Sequence, residues 1–147
     1  MVIIMYSVSE KLTNICQKYN IALVYLFGSQ KENALKLLKG EKVVIYDPLT
    51  DIDVGIVFLE NIEFMKDRYK IYANVYNEME EVFKPYKLDL VFLQERHSIF
   101  QCEALKGICI YYYSEEFKDT YEMRILRRAA DFKYVYDKYN EEVLEKY

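Results

Sequence analysis

Two aspartates separated by one isoleucine, Asp51 and Asp53, are the residues of this chain best suited to do chemistry. On a strand, an i, i+2 spacing puts both carboxylates on one face a few ångströms apart, where they repel unless a cation, a proton or a donor stands between them. Mg²⁺, with its preference for oxygen ligands, is the natural occupant. The alternative is a pair of solvated aspartates. Asp89 adds weight to the metal reading, because a carboxylate between Leu88 and Leu90 needs a partner, a metal or an edge position facing water. Gly28-Ser29 offers a third element. Glycine admits a close backbone approach, and the N–H groups and hydroxyl of such a turn cradle phosphates, although a Gly-Ser pair is also simply a turn.

These residues need elements to hold them. Leu12, Ile15, Cys16 and Tyr19 recur at helical spacing, which predicts an amphipathic helix over about 8–19. Ile21 to Phe27 is an apolar run ending in Gly28-Ser29, the pattern of a buried strand opening into a turn. Residues 31–39 read as helix. From Asp51 to Phe58, Ile52, Val54, Ile56 and Phe58 alternate with Asp51, Asp53, Gly55 and Val57, the period of a half-buried strand. Phe64, Met65, Tyr69, Tyr72, Val75, Tyr76, Met79 and Phe83 predict a helix over about 61–84, bounded by Pro85. A strand over Lys87 to Leu93 carries Asp89, and Pro48 and Pro85 each precede a strand. A short helix near 97–105, a break at Gly107, a strand from Ile108 to Tyr113 and a long helix over about 115–145 follow. The expected class is α/β or α+β in a single domain over residues 1–147.

Composition narrows the field. At 52% hydrophobic and 30% charged residues the chain packs as a globule, which sets disorder aside. With 20 Lys+Arg against 24 Asp+Glu it has no global positive field, so nucleic acid is not expected as a direct ligand. One histidine and three cysteines lack zinc-ligand spacing, and the odd cysteine count speaks against a disulfide framework; Cys16, Cys102 and Cys109 read as reduced and buried. Residues 1–6 are apolar, but neither a leader pattern nor a membrane-spanning run follows, so the expected location is the cytoplasm. Arg124, Arg127 and Arg128 read as a solvated helix face paired with Glu122 and Asp131, with contact to a phosphate or partner as the alternative.

Leu26-Phe27-Gly28-Ser29, Pro48-Leu49-Thr50-Asp51-Ile52-Asp53-Val54 and Leu88-Asp89-Leu90-Val91 together resemble the DNA polymerase β-like nucleotidyltransferases. The length is similar to the minimal members, and Tyr121-Glu122-Met123-Arg124 with Asp131-Phe132-Lys133 resembles the MntA antitoxins paired with HEPN toxins. The resemblance implies a polymerase β palm-like fold, a small mixed β-sheet flanked by helices, with a long C-terminal helix. It also implies that Gly28 and Ser29 bind nucleotide phosphates, that Asp51 and Asp53 hold two Mg²⁺ ions, and that Asp89 binds metal or acts as general base. A metal-bridged carboxylate keeps a low pKa, which favours the ligand role for Asp89. ATP is the implied substrate, and a tyrosine of a partner HEPN ribonuclease, silenced by adenylylation within a hetero-oligomer, is the implied acceptor.

The chain departs from the family between Ser29 and Asp51, where residues 30–50 exceed the shorter stretch of minimal members. An insertion over about 32–46 is expected to lengthen a helix and add a turn or short hairpin, with Lys31 standing in for a displaced basic residue. Two other functions compete. A non-catalytic module would neutralise its partner by occlusion, drawing on the 16 tyrosines and eight phenylalanines, although Tyr111 to Tyr113, Tyr134, Tyr136 and Tyr139 are expected to alternate into the core. A transferase acting on RNA or a small molecule would share the acidic residues but needs an acceptor platform.

Overall fold

The computed structural model describes residues 6–47 and 50–145, which leaves the first five residues, Pro48, Leu49 and the last two residues outside the described part. Helix α1 (Tyr6–Lys18) leads into strand β1 (Ile21–Phe27), helix α2 (Lys31–Leu38), strand β2 (Ile52–Phe58) and helix α3 (Arg68–Val82). Strand β3 (Leu88–Phe92), helix α4 (Ser98–Leu105), strand β4 (Ile108–Tyr112) and helix α5 (Glu115–Glu145) complete the order.

The strands form one sheet in the order β3-β2-β1-β4, with β1 antiparallel to β2 and β4, and β2 parallel to β3. This is the mixed α+β sheet expected from the sequence. Helices α1, α2 and α3 cover one face through Leu12, Cys16, Ala34, Leu38, Val75 and Met79, packed on Ile52, Val54, Ile56 and Phe58. Helices α4 and α5 cover the other through Ala104, Tyr121 and Ile125, against Leu23, Tyr25, Val57 and Val91. Each large side chain buried this way contributes about 1.5–3 kcal/mol.

Covering both faces corrects the half-buried reading of β2: Gly55 and Val57 are buried as fully as the opposite row. Gly55 is required there, since a Cβ would meet Leu93 at 2.9 Å. The helix expected over 61–84 begins only at Arg68. Upstream, Asn61 accepts from the Glu63 N–H at 3.0 Å and closes a 3₁₀ turn over Ile62–Phe64, and Asp67 at φ +56 redirects the chain. Phe64, in this turn, and Tyr69, in the first turn of α3, are both exposed. Neither does the insertion form a hairpin. Helix α2 stops at Leu38, Gly40 turns the chain at φ +79, and 41–47 contains no strand. The segment's backbone bonds go to a side chain instead: the Tyr86 hydroxyl donates to Val43 O at 2.6 Å and accepts from the Ile45 N–H at 3.0 Å.

The tyrosines also depart from expectation. Tyr112 and Tyr113 are exposed at the end of the edge strand β4, and Tyr134, Tyr136 and Tyr139 are exposed because only Tyr121, Ile125 and Ala129 of α5 are buried and the helix outruns the body it packs on. Cys16 is buried, whereas Cys102 and Cys109 are half-buried; all three are free thiols. No described helix is long and apolar enough to cross a membrane.

Candidate functional site

The carboxylates gather where β1 ends and β2 and β3 begin. Asp53 lies in register with Phe27 on β1 and with Asp89 on β3, so these three side chains stand side by side across the sheet. Gly28, at φ +75, follows directly, and a Cβ there would stand 2.0 Å from Asp53 Oδ2. Only glycine lets the backbone lie against that carboxylate. Asp51 sits just outside β2 and is exposed; beside it the Thr50 N–H donates to Asp47 O at 3.2 Å and the Thr50 hydroxyl to the Asp47 carboxylate at 2.7 Å.

Electrostatics ties the three together. The Asp53 carboxyl is pushed up to about 6, chiefly by burial, then by the adjacent Asp89 carboxylate and its hydrogen bond, and least by Asp51. Protonated Asp53 can donate to Asp89, the arrangement of two carboxylates that cannot both ionise freely. Among the described residues, no three Asp, Glu, His or Cys side chains stand close enough together to hold a metal ion as they are. The donor set nevertheless fits one: an all-oxygen pair strained by like charge, with a third carboxylate on its flank and space kept open by Gly28, suits a hard cation such as Mg²⁺.

Ser29 and Gln30 lead into α2, whose N-cap makes no side-chain hydrogen bond, so the first N–H groups of the helix beside Gly28 remain available to an anion. Lys31 is the first residue of that helix and is half-buried. The structure thus brings Gly28, Asp53 and Asp89 into contact and places Ser29 and Asp51 beside them.

Sequence reasoning missed the aromatic neighbours of this site. Tyr72 and Tyr76 stack at 6.2 Å along the open edge of β3, with the Tyr72 hydroxyl donating to Leu90 O at 2.9 Å. Burial chiefly, and then the nearby Asp89, raises the Tyr72 pKa. On the α4 side, Phe100 meets Phe27 edge-on at 5.9 Å and the Arg96 guanidinium lies 5.4 Å from the centre of the Phe100 ring. Apolar spacing could assign these aromatics to helices and strands, but not to one end of the sheet. The expected pairing of Arg124, Arg127 and Arg128 with Glu122 and Asp131 is likewise corrected: among the described residues none of these arginines makes an ion pair, and Glu122 takes Lys118 Nζ at 3.1 Å and the Tyr25 hydroxyl at 2.7 Å.

Among solved structures, the chain is similar to one from a toxin-antitoxin pair with AMP-PNP, at TM-score 0.63 and 11% identity over 92% of this chain and 97% of that one. A chain from the tri-AMPylated Shewanella oneidensis HEPN toxin in complex with MNT antitoxin aligns at TM-score 0.58 and 11% identity, covering 95% and 98%. A third similarity, to the toxin-antitoxin MntA-HepT, has TM-score 0.57 and 10% identity over 93% and 97%. No curated protein matches the chain. At these identities the solved structures show a shared fold. The family model for polymerase beta nucleotidyltransferases matches residues 10–116, which contain every candidate site residue. This chain belongs to the polymerase beta nucleotidyltransferase family.

Proposed function

We propose that this protein is a Mg²⁺-dependent adenylyltransferase antitoxin that transfers AMP from ATP to a tyrosine of a cognate HEPN toxin and so neutralises it. In this reading residues 1–147 act as one minimal nucleotidyltransferase domain, in the cytoplasm, bound to the toxin. The observation that carries it is the in-register Asp53–Asp89 pair, pressed against Gly28 and flanked by Asp51. The similarity to chains from toxin-antitoxin pairs, one with AMP-PNP and one with an AMPylated HEPN toxin, supports the nucleotide and the partner.

Asp51, Asp53 and Asp89 would hold the metal. When bound, Mg²⁺ supplies charge neutralisation for the triphosphate and lowers the pKa of the acceptor hydroxyl. Gly28, Ser29 and the N-terminus of α2 bind the phosphates through N–H groups and a hydroxyl. The acceptor oxygen forms a bond to the α-phosphorus, the bond to the pyrophosphate oxygen breaks, and the acceptor proton passes to solvent. Asp53 must be ionised for this, so the site works above its raised pKa unless a cation lowers it.

Neutralisation by binding alone is the second reading, favoured by the exposed Tyr134, Tyr136 and Tyr139 on the free half of α5. Intact mass of a co-expressed partner after incubation with ATP and Mg²⁺ separates the two. Added AMP units with wild type, and none with an Asp51→Ala, Asp53→Ala double variant, establish transfer. No added mass while the partner stays inhibited establishes occlusion.

A further inference from the structure

A cleft of about 390 Å³ opens at the other end of the sheet, between the chain leaving β2, the turn after β3 and the inner side of α5. Phe58 lines it, five residues along β2 from Asp53 and so about 16 Å away, which keeps an occupant clear of the three aspartates. Arg124 and Arg128, one helical turn apart, form one wall. No ion pair engages either of them among the described residues. The Arg124 guanidinium lies over the Tyr121 ring at 5.8 Å, and that ring is itself fixed by a hydrogen bond from its hydroxyl to Gln101.

Glu60 and Glu63 line it from the segment after β2, which forms a second wall. This wall is held before any ligand arrives: Gln94 accepts from the Phe58 N–H at 2.8 Å and donates to Glu60 O at 3.1 Å. Preorganised walls reduce the entropy lost on binding.

The two walls ask for different things. A pair of guanidinium forks without carboxylate partners matches the several oxygens of a phosphate. Glu60 and Glu63 accept hydrogen bonds from hydroxyl or amino groups and repel a second anionic end. The volume falls in the range of small-molecule sites, and Phe117 adds an apolar surface for a flat ring. We propose that this cleft binds a nucleoside monophosphate, its phosphate on Arg124 and Arg128 and its hydroxyl or amino groups on Glu60 and Glu63. A nucleoside triphosphate, whose extra negative charge exceeds what the two arginines offset beside the two glutamates, is disfavoured.

The test is a calorimetric titration of AMP into the full chain in EDTA, where metal-dependent binding at the aspartates is suppressed. Nucleotidyl transfer does not enter the assay, so its outcome is separate from that of the proposed function. Wild type and an Asp51→Ala, Asp53→Ala variant are expected to bind one AMP with equal affinity. Arg124→Ala, Arg128→Ala should bind it at least tenfold more weakly, as should wild type offered ATP, adenosine or inorganic phosphate alone. Arg128→Gln, which leaves the Tyr121 contact in place, should show a weakening of at least threefold with an unchanged melting temperature. Three results overturn the proposal: no AMP binding by wild type at millimolar concentration, binding lost in the aspartate variant but kept in the arginine variants, or inorganic phosphate binding as tightly as AMP.

Discussion

Replacing Asp53 with asparagine should make the metal-free protein more stable at pH 8, although it removes a residue proposed to be essential for activity. The Asp53 carboxyl is raised from 3.8 to about 6, a penalty on its charged form of about 3 kcal/mol. Because the side chain is only half-buried, solvent screening leaves about 1–2 kcal/mol acting on the folding equilibrium. The folded state holds the proton more tightly than the unfolded chain. Its stabilising contribution is therefore complete below pH 3.8 and is lost as the pH rises through about 6. Above that, ionised Asp53 opposes the fold beside Asp89, and neutral asparagine of nearly the same shape removes the opposition. Thermal melts followed by circular dichroism in EDTA should show Asp53→Asn melting about 3–6 °C above wild type at pH 8, with the gap closing at pH 4. Millimolar Mg²⁺ should raise the wild-type melting temperature and leave the variant unmoved. A variant melting at or below wild type at pH 8, or a gap independent of pH, would refute the reasoning that the two carboxylates strain each other.

Gly28→Ala forces a Cβ to 2.0 Å from Asp53 Oδ2 at a positive φ, so nucleotidyl transfer should fall by about 100-fold or more, with a loss of about 1–3 kcal/mol in chemical denaturation. Tyr86→Phe removes the hydroxyl that holds Val43 and Ile45; about 1–2 kcal/mol of stability should go, and limited proteolysis should cut within 41–47 sooner than in wild type. Tyr136→Ala with Tyr139→Ala should change the melting temperature by less than about 2 °C, since both rings are exposed, while pull-down of the partner weakens by tenfold or more.

Much of the scaffold could be read from residue patterns, because a few segments carry unambiguous signals. Strand β1 occupies Ile21–Phe27, the bounds of its uninterrupted apolar run, and α5 occupies Glu115–Glu145 as its composition implied. Where the reading failed, a local polar contact overrode a periodic pattern. Phe64 falls at helical spacing, yet the Asn61 cap and the left-handed Asp67 hold it out of α3, and Tyr69, in the first turn of α3, is exposed. At the site, residue types pointed to Gly28, Asp53 and Asp89, whereas their contact depends on the registers of β2 with β1 and with β3, which no local spacing encodes. Exposure of the α5 tyrosines could not be foreseen for a related reason. A helix spaced for burial is buried only as far as there is a body beneath it, and here that ends near Ala129.

The Tyr86 hydroxyl has a consequence for how this chain can change over evolutionary time. By gripping Val43 and Ile45, it divides the long connection between α2 and β2 into two parts under different constraint. Upstream, around the solvent-facing turn at Gly40, residues can be gained or lost and the slack stays on the surface. Downstream, Asp51 lies six residues beyond the held Ile45. One residue more or fewer there would shift Asp51 by about 3 Å relative to Asp53 and Asp89. Variation in length should therefore accumulate before the anchored stretch and be purged after it, which would let an enlarged loop coexist with an undisturbed acidic cluster.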